Sequence, residues 1–256
     1  MLRRLVLALA LPAVLVAVWW AASEGSTNVY WPPLRTIVAA FPDVWTAERL
    51  RGDLLPSLLR LTAGYGVAAV VGVALGTLVG SRRRVRALCE PVLEFLRAVP
   101  PPVLVPVIML FAGIGDTMKI AVIASGCVWP VLLNTAEGVR AVDPVLAETA
   151  RSYGITGLTR LRELVLRAAS PQIFAGLRQA LSIGIILMVI SEMFAASNGL
   201  GFTIVQFQRG FALPDMWTGI LLLGLLGFLL SLLFRLAERR VLGWYHGLRE
   251  AGRRSP

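Results

Sequence analysis

The sequence predicts an all-α membrane protein that crosses the bilayer six times and carries a helical loop on the cytoplasmic side. Three observations predict this fold class. First, 57% of the 256 residues are hydrophobic, 16% are charged and the mean hydropathy is +0.74, whereas soluble domains carry about 25% charged residues. Second, uncharged stretches long enough to cross about 30 Å of hydrocarbon recur along the chain. Third, most of the arginines border these stretches on one side.

Six apolar stretches are candidate membrane-spanning helices. Five of them contain 17 to 21 uncharged residues, which is enough for a helix to cross the bilayer. The fifth in chain order is weaker, because it has 13 uncharged residues and then continues through an acid, Glu192. We interpret it as a span that carries an acidic residue. The six stretches are Leu5–Ser23, Leu61–Ser81, Ala98–Gly115, Ile120–Ala136, Gln179–Ala196 and Met216–Phe234.

The distribution of positive charge orients these spans. Of the 25 Lys and Arg residues, 18 flank the spans on the side of the two termini, six lie on the other side, and Arg97 is unassigned. Because basic residues concentrate on the cytoplasmic side of a membrane protein, both termini are predicted to be cytoplasmic. The net charge of +10 then reflects orientation and contact with anionic membrane lipids, and we expect no nucleic-acid partner.

The spans divide the chain into four parts. Residues 1–23 are predicted to form the first transmembrane helix, and residues 24–57 an extracytoplasmic segment. The transmembrane core covers residues 58–236, with a cytoplasmic loop at 137–171, and residues 237–256 form a basic cytoplasmic tail. The start of the chain resembles a signal peptide, but its apolar run is long for one and ends in the interfacial pair Trp19-Trp20, so we expect an uncleaved span.

The second span carries glycines four residues apart, at Gly72, Gly76 and Gly80. Residues at this spacing share one face of a helix, and glycine allows another backbone to approach closely. The pattern predicts tight helix packing.

The third span opens with Pro100, Pro101 and Pro102. Prolines remove backbone donors and clash with the preceding turn, so this segment is predicted to be bent or partly unwound. Interrupted helices in membranes border protein or a water-filled cavity, which makes the three prolines candidates for a translocation pathway. A simple kink is the alternative.

Three more residues are pathway candidates. Glu192 lies within the fifth span, where an ionisable group is costly and should face a partner or a cavity, although its position near the outer end of the span also permits contact with the membrane interface. Trp129 and Asn134, in the fourth span, are weaker candidates that equally suit packing or hydrogen bonding.

The cytoplasmic loop is predicted to contain two helices. Asp143 and Pro144 form a helix start, and Gly154 is a typical helix stop. A second, basic helix is predicted at Leu161–Ala169, before Pro171 closes the loop. Two short helices at the cytoplasmic face suit a docking surface, or an amphipathic element lying on lipid headgroups.

Glu148, Thr149 and Ala150, followed by Gly154, resemble the EAA loop of binding-protein-dependent ABC importer permeases. The resemblance covers residues 34–244 and is closest to the sulfonate, nitrate and taurine branch, so it implies the type I ABC importer permease fold. Other matching segments, in chain order, are Ser57–Arg60 with Gly64, Ala98–Pro100, Phe111–Gly115 with Lys119, Pro130 with Asn134, Gly176–Arg178, Ser191-Glu192 and Gly199–Phe202.

The chain departs from the family pattern at two loop positions. Thr149 replaces the usual central alanine, and Arg167 stands where family members carry a proline about thirteen residues after the loop glycine. A second family proline is kept at Pro171. The second helix of this loop is therefore expected to run longer and straighter than in family members.

The resemblance implies a non-catalytic permease in the cell membrane of a prokaryote. Such permeases form homodimers and receive solute from an extracytoplasmic solute-binding protein. Each copy docks on an ABC ATPase subunit, which binds ATP and magnesium, through the loop at 137–171, here named the coupling loop. The resemblance assigns this coupling role to Glu148, Thr149, Ala150, Gly154, Arg167 and Pro171. We expect no cofactor or metal on this chain, whose two cysteines and single histidine do not form a metal-binding pattern. Its single lysine, Lys119, follows Met118 rather than the glycine of a phosphate-binding Gly-Lys-Ser/Thr motif.

Two other functional classes and several solutes stay open. One is an ion-coupled carrier, which would have more charged groups in its spans than this chain has. The other is a membrane-embedded enzyme, which would need reactive side chains clustered at one depth in the membrane. By resemblance the solute is a small anion such as a sulfonate, taurine or nitrate. Related permeases also serve thiamine-precursor pyrimidines and riboflavin.

Overall fold

A computed structural model describes residues 2–194 and 196–245. These residues form helices and connecting turns, with no strand in the two ranges. The single histidine and the last part of the predicted basic tail, 246–256, lie outside the described residues. In chain order the helices are α1 Leu2–Ser23, α2 Leu34–Val44, α3 Ala47–Ser81, α4 Arg83–Ala98, α5 Pro101–Ala112, α6 Asp116–Arg140, α7 Pro144–Ser152, α8 Gly157–Phe194, α9 Leu200–Arg209 and α10 Leu213–Val241.

Four of these helices are long and apolar enough to cross a membrane, namely α3, α6, α8 and α10. The pair α4 and α5 also passes this criterion as one span, although it is bent by 83°. Helix α1, Leu2–Ser23, contains the first predicted span, Leu5–Ser23. Each of the six predicted spans thus overlaps a helix or the bent pair, namely α1, α3, α4 with α5, α6, α8 and α10. The prediction of an all-α polytopic fold is confirmed.

The third predicted span, Ala98–Gly115, is not a straight helix. Helix α4 ends at Ala98, and α5 starts at Pro101 with a 3-10 turn. The 12 residues of α5 reach only about 18 Å at 1.5 Å per residue, which is too short to cross the hydrocarbon layer. The bend that the proline run predicts is therefore present, between α4 and α5.

The second loop helix is longer than the sequence predicts. A helix limited to Leu161–Ala169 is wrong, because α8 continues through Pro171 to Phe194. Proline cannot donate to the Arg167 carbonyl, but the Ser170 hydroxyl donates to it over 2.8 Å, so the helix is not interrupted. The expectation that Arg167 makes this helix longer and straighter than in family members stays a prediction.

The described chain forms two compact units. The smaller one contains residues 1–56 and 197–225. Its centre is aromatic: Trp19, Trp31 and Trp217 pack with ring centroids 5.7 to 5.9 Å apart. The Trp45 indole donates to the Thr218 hydroxyl over 2.9 Å. The domain division predicted from the sequence stays a prediction.

Among the described residues, the larger unit contains 57–194, 196 and 226–245. Its core forms where α3 and α8 pack against α6. Gly72, Gly76 and Gly80 lie on the face of α3 that contacts α6: a Cβ atom at Gly76 would stand 2.5 Å from the Leu132 carbonyl oxygen. Because that neighbour is backbone, it cannot move aside as a side chain would. Glycine at this position sets how closely the two helices approach.

Replacing Gly76 with valine should therefore separate α3 from α6. We expect a loss of about 1–3 kcal/mol in unfolding free energy, which is typical of overpacking a close contact. Gly66→Val is the matched control on the same helix, because a Cβ atom at Gly66 has open space around it. Thermal unfolding of the two purified variants in detergent tests this expectation, and equal melting temperatures would contradict it.

Candidate functional site

A cleft of about 590 Å³ brings together four of the six pathway candidates predicted from the sequence. Pro101 and Pro102 form one side of it, and Trp129 and Asn134 project from α6. Pro101 reaches this position because Gly126 has no side chain: a Cβ atom there would stand 3.2 Å from the proline ring. The bent segment thus packs directly on α6, and the prolines border a cavity. Their role in translocation stays a prediction.

The polar groups of the cleft are few. The Asn134 amide nitrogen donates to the Pro130 carbonyl over 2.8 Å and to the Gln179 amide oxygen over 3.3 Å. Arg97 is the one charged residue that lines the cleft, and its guanidinium lies 2.6 Å from the Glu94 carboxylate. Most other lining residues are apolar. A mainly apolar cavity with a few convergent polar groups is the usual form of a small-molecule site.

Two predicted pathway residues do not line this cleft. Pro100 is exposed and stands outside it, just before the 3-10 turn. Glu192 is fully buried in the chain. Its carboxylate instead forms part of a separate polar network.

This network joins the start of α6 and the end of α8 to the α3 segment that precedes the second predicted span. The Glu192 carboxylate accepts hydrogen bonds from the Ser57 hydroxyl over 2.7 and 2.9 Å and from the Arg60 guanidinium over 2.8 Å. Arg60 also donates to the Asp116 carboxylate over 2.7 Å. Lys119 is buried, with its ammonium 3.7 Å from Asp116. Two positive and two negative charges therefore balance one another in a cluster of side chains from three helices.

Sequence reasoning did not connect the basic members of this network to Glu192. Arg60 and Lys119 were counted as outer-side charges and matched to family segments, yet Arg60 is 4% exposed and Lys119 is 3% exposed. One signal was present: both residues stand directly next to an apolar span. A buried carboxylate requires a cation or several donors. Glu192 could therefore have been paired with Arg60 or Lys119 from the sequence, but with no indication of which.

The coupling-loop helix has the predicted bounds. The Asp143 carboxylate caps α7 by accepting from the Val145 amide over 2.8 Å. Gly154 follows the helix with φ of +71°, and the Ile155 amide bonds back to the Ala150 carbonyl over 2.8 Å. This is a Schellman ending, in which only glycine fits without strain. The predicted start and stop of this helix are confirmed.

The surface of α7 and the following turn is open. Glu148 and Thr149 are exposed, whereas Ala150 is buried beneath them. Several large apolar side chains around them are also exposed: Val145 at 68%, Leu146 at 52%, Tyr153 at 80% and Leu158 at 78%. Arg167, farther along α8, forms an ion pair with Glu163. An exposed apolar patch of this kind marks a contact with another molecule.

Comparison with known sequences identifies similar proteins over most of the chain. The sequence profile of a family described as "Binding-protein-dependent transport system inner membrane component" matches residues 68–243. The taurine transport system permease protein TauC of Escherichia coli strain K12 is 30% identical, over 95% of this chain and 91% of that protein. The bicarbonate transport system permease protein CmpB of Synechococcus elongatus is 32% identical, over 73% of this chain and 68% of that protein.

Solved structures give the same fold. A structure of the MetNI methionine ABC transporter in an inward-facing conformation aligns with a TM-score of 0.64. The alignment covers 75% of this chain and 95% of the matched chain at 21% sequence identity. At that level of identity the likeness concerns the arrangement of helices alone.

Proposed function

The chain belongs to the family of binding-protein-dependent transport system inner membrane components, and from this premise we propose that it forms the solute pathway of an ATP-driven importer. The 590 Å³ cleft is the observation that carries the proposal. It lies between α6, α8 and the bent segment, so a change in their packing would change access to it. Trp129, Asn134 and Gln179 would contact the solute.

The proposed driving force comes from a separate ATPase subunit that binds ATP and magnesium. Two features support this division. The exposed apolar patch around Glu148 offers a docking surface, and the single lysine, Lys119, is buried beside Asp116 rather than in a phosphate-binding loop. We therefore propose that this chain is not itself catalytic.

The proposed assembly is a homodimer with both termini in the cytoplasm, served by an extracytoplasmic solute-binding protein. One supporting feature is α4, which has no buried residue and exposes Leu88, Val92 and Phe95 at intervals of four and three residues. These positions form one apolar helix face, which lipid or a second copy would cover.

A tagged purification from native membranes in mild detergent tests the assembly. We expect the permease to retain a P-loop ATPase, with two copies of each chain by native mass spectrometry. Robust uptake by the permease alone would instead favour the ion-coupled carrier. Retention of no ATPase, even with nucleotide trapping, would contradict the proposed coupling.

The proposed solute is a small anion of the sulfonate, taurine, nitrate or bicarbonate type. The chemical support is Arg97, the single charged group that lines the cleft. A charge-assisted hydrogen bond contributes about 1.5–3 kcal/mol, so Arg97→Gln should raise the half-saturating concentration by roughly tenfold or more. Arg84→Gln, an exposed arginine outside the cleft, is the charge-matched control.

Uptake of labelled taurine, an alkanesulfonate, nitrate and bicarbonate by cells that carry each variant provides the measurement. Equal half-saturating concentrations for Arg97→Gln and Arg84→Gln would rule out Arg97 as a solute contact. If the cells take up a neutral pyrimidine and none of the four anions, the proposed solute is a pyrimidine rather than an anion.

A further inference from the structure

A second cavity, with a volume of about 410 Å³, lies where the end of α3, the start of α4 and the end of α6 meet the coupling loop. We name it the basic cavity. Four arginines line it, and no Asp or Glu is among its lining residues. The four are Arg83, Arg86, Arg140 and Arg160.

Most of this positive charge is not neutralised by the protein. The Arg140 guanidinium lies 2.6 Å from the Glu137 carboxylate, and both side chains are largely exposed. Within residues 2–194 and 196–245, no carboxylate oxygen lies within 4 Å of Arg83, Arg86 or Arg160. Guanidinium groups stay charged at any physiological pH. Their mutual repulsion favours an anion between them.

Arg160 gives a second, independent indication. Its Nε atom is buried and has no hydrogen-bond partner in the part of the chain that the structure describes. Buried polar atoms are nearly always hydrogen-bonded, because losing water without gaining a partner is unfavourable. A ligand oxygen in the basic cavity would supply the missing acceptor.

Arginines at helix ends often serve only to orient a membrane protein, and this explanation does not suffice here. Arg82 and Arg84 fit it, because neither lines the cavity. Arg83 and Arg86 are three residues apart on the first turn of α4, so their side chains share a face. Together with Arg140 and Arg160 they converge from three helices on one cavity.

We infer that the basic cavity binds a phosphate group. The planar guanidinium fork matches the oxygens of phosphate and donates two parallel hydrogen bonds to them. At about 30 Å³ per water molecule, the cavity has room for a phosphate and several waters. The group comes from an anionic phospholipid headgroup or from free phosphate, since both offer the same oxygens.

A role in coupling, which rests on the proposed function, follows from the position of this site. Arg160 starts the long helix α8 and Ala147 belongs to α7, so both lie in the coupling loop, whereas the other three arginines belong to α4 and α6. A bound phosphate would therefore hold the loop against the helices that carry the solute cleft. Its release would free the loop to move.

The lipid source is tested with the full chain in nanodiscs of phosphatidylcholine containing a minority of phosphatidylglycerol. Native mass spectrometry should detect one phosphatidylglycerol retained per chain. Arg86→Gln and Arg160→Gln should each reduce the retained fraction by about tenfold, the loss expected for a charge-assisted hydrogen bond. Arg84→Gln, a neighbour outside the cavity, should retain the lipid as the wild type does.

The free-phosphate source is tested in micelles of a maltoside detergent, which carries no phosphate group. Inorganic phosphate should raise the melting temperature of the wild type and of Arg84→Gln, whereas chloride at equal ionic strength should not. Arg86→Gln and Arg160→Gln should need about tenfold more phosphate for the same rise. Because the comparison of phosphate with chloride uses the wild type, it remains decisive even if a variant fails to fold.

Two results would overturn the inference. The first is no retained lipid and no effect of phosphate on the wild type. The second is a loss of ATPase association in Arg86→Gln and Arg160→Gln with unchanged lipid and phosphate binding, which would assign the arginines to acidic side chains of the ATPase. A phosphate effect without lipid retention, or the reverse, supports the site and identifies its source.

Discussion

Replacing Arg60 with methionine is expected to lower the free energy of unfolding by about 3–5 kcal/mol, because removal of one partner leaves a buried charge without its counterion. The Glu192 carboxylate, which is fully buried, would lose the guanidinium that lies 2.8 Å from it. The Ser57 hydroxyl would still donate to the carboxylate. A hydroxyl carries no net charge, so it would compensate only part of the loss.

Thermal unfolding in detergent measures this effect, and a drop of roughly 10 °C is expected. Arg35→Gln is the matched control: Arg35 is also paired, with Glu24, but both side chains are exposed, and such pairs contribute little. The double variant Arg60→Met with Glu192→Leu removes both charges and should regain most of the loss. If Arg60→Met and Arg35→Gln have the same melting temperature, the network does not stabilise the fold.

Replacing Gly154 with valine should abolish uptake while the protein remains in the membrane. At a φ of +71° a β-branched residue is strained by about 1–3 kcal/mol, so the turn after α7 should change its conformation. A Cβ atom at this position has open space around it, so the effect does not arise from a clash. Glu148, six residues earlier, would then be presented at a different angle.

Gly154→Asn provides the control, because asparagine tolerates the left-handed conformation far better than valine. We expect uptake below about a tenth of wild type for the valine variant, the consequence of a turn strained by more than about 1.4 kcal/mol, and substantial uptake for the asparagine variant. Immunoblots of isolated membranes measure the amount of each variant, and uptake is expressed relative to that amount. An equal loss of uptake in both variants would contradict this explanation. It would show that position 154 must have no side chain, whatever its φ.

Local features of the chain were predictable from the sequence. The bounds of α7 follow from Asp143 and Gly154, because a capping carboxylate and a left-handed glycine act within one turn of the residues that they affect. The bend after Ala98 follows from three consecutive prolines in the same way. The family itself follows from motifs in the correct order along the chain.

Features that depend on contacts between distant residues were not predictable. The pairing of Glu192 with Arg60 joins residues 132 positions apart, and an apolar pattern does not specify which charge meets which. The continuation of α8 through Pro171 depends on the Ser170 hydroxyl, whose bond to the Arg167 carbonyl takes the place of a missing backbone donor. The four arginines of the basic cavity come from three helices, so their convergence emerges only from the fold.

The uninterrupted α8 has a mechanical consequence. Its 38 residues measure about 57 Å at 1.5 Å per residue, with the coupling loop at one end and Glu192 near the other. Pivoted at one end, a rod of this length that tilts by about 5° moves its far tip by about 5 Å, close to one helical turn. Force applied at the loop thus reaches the buried ion pair along a single lever.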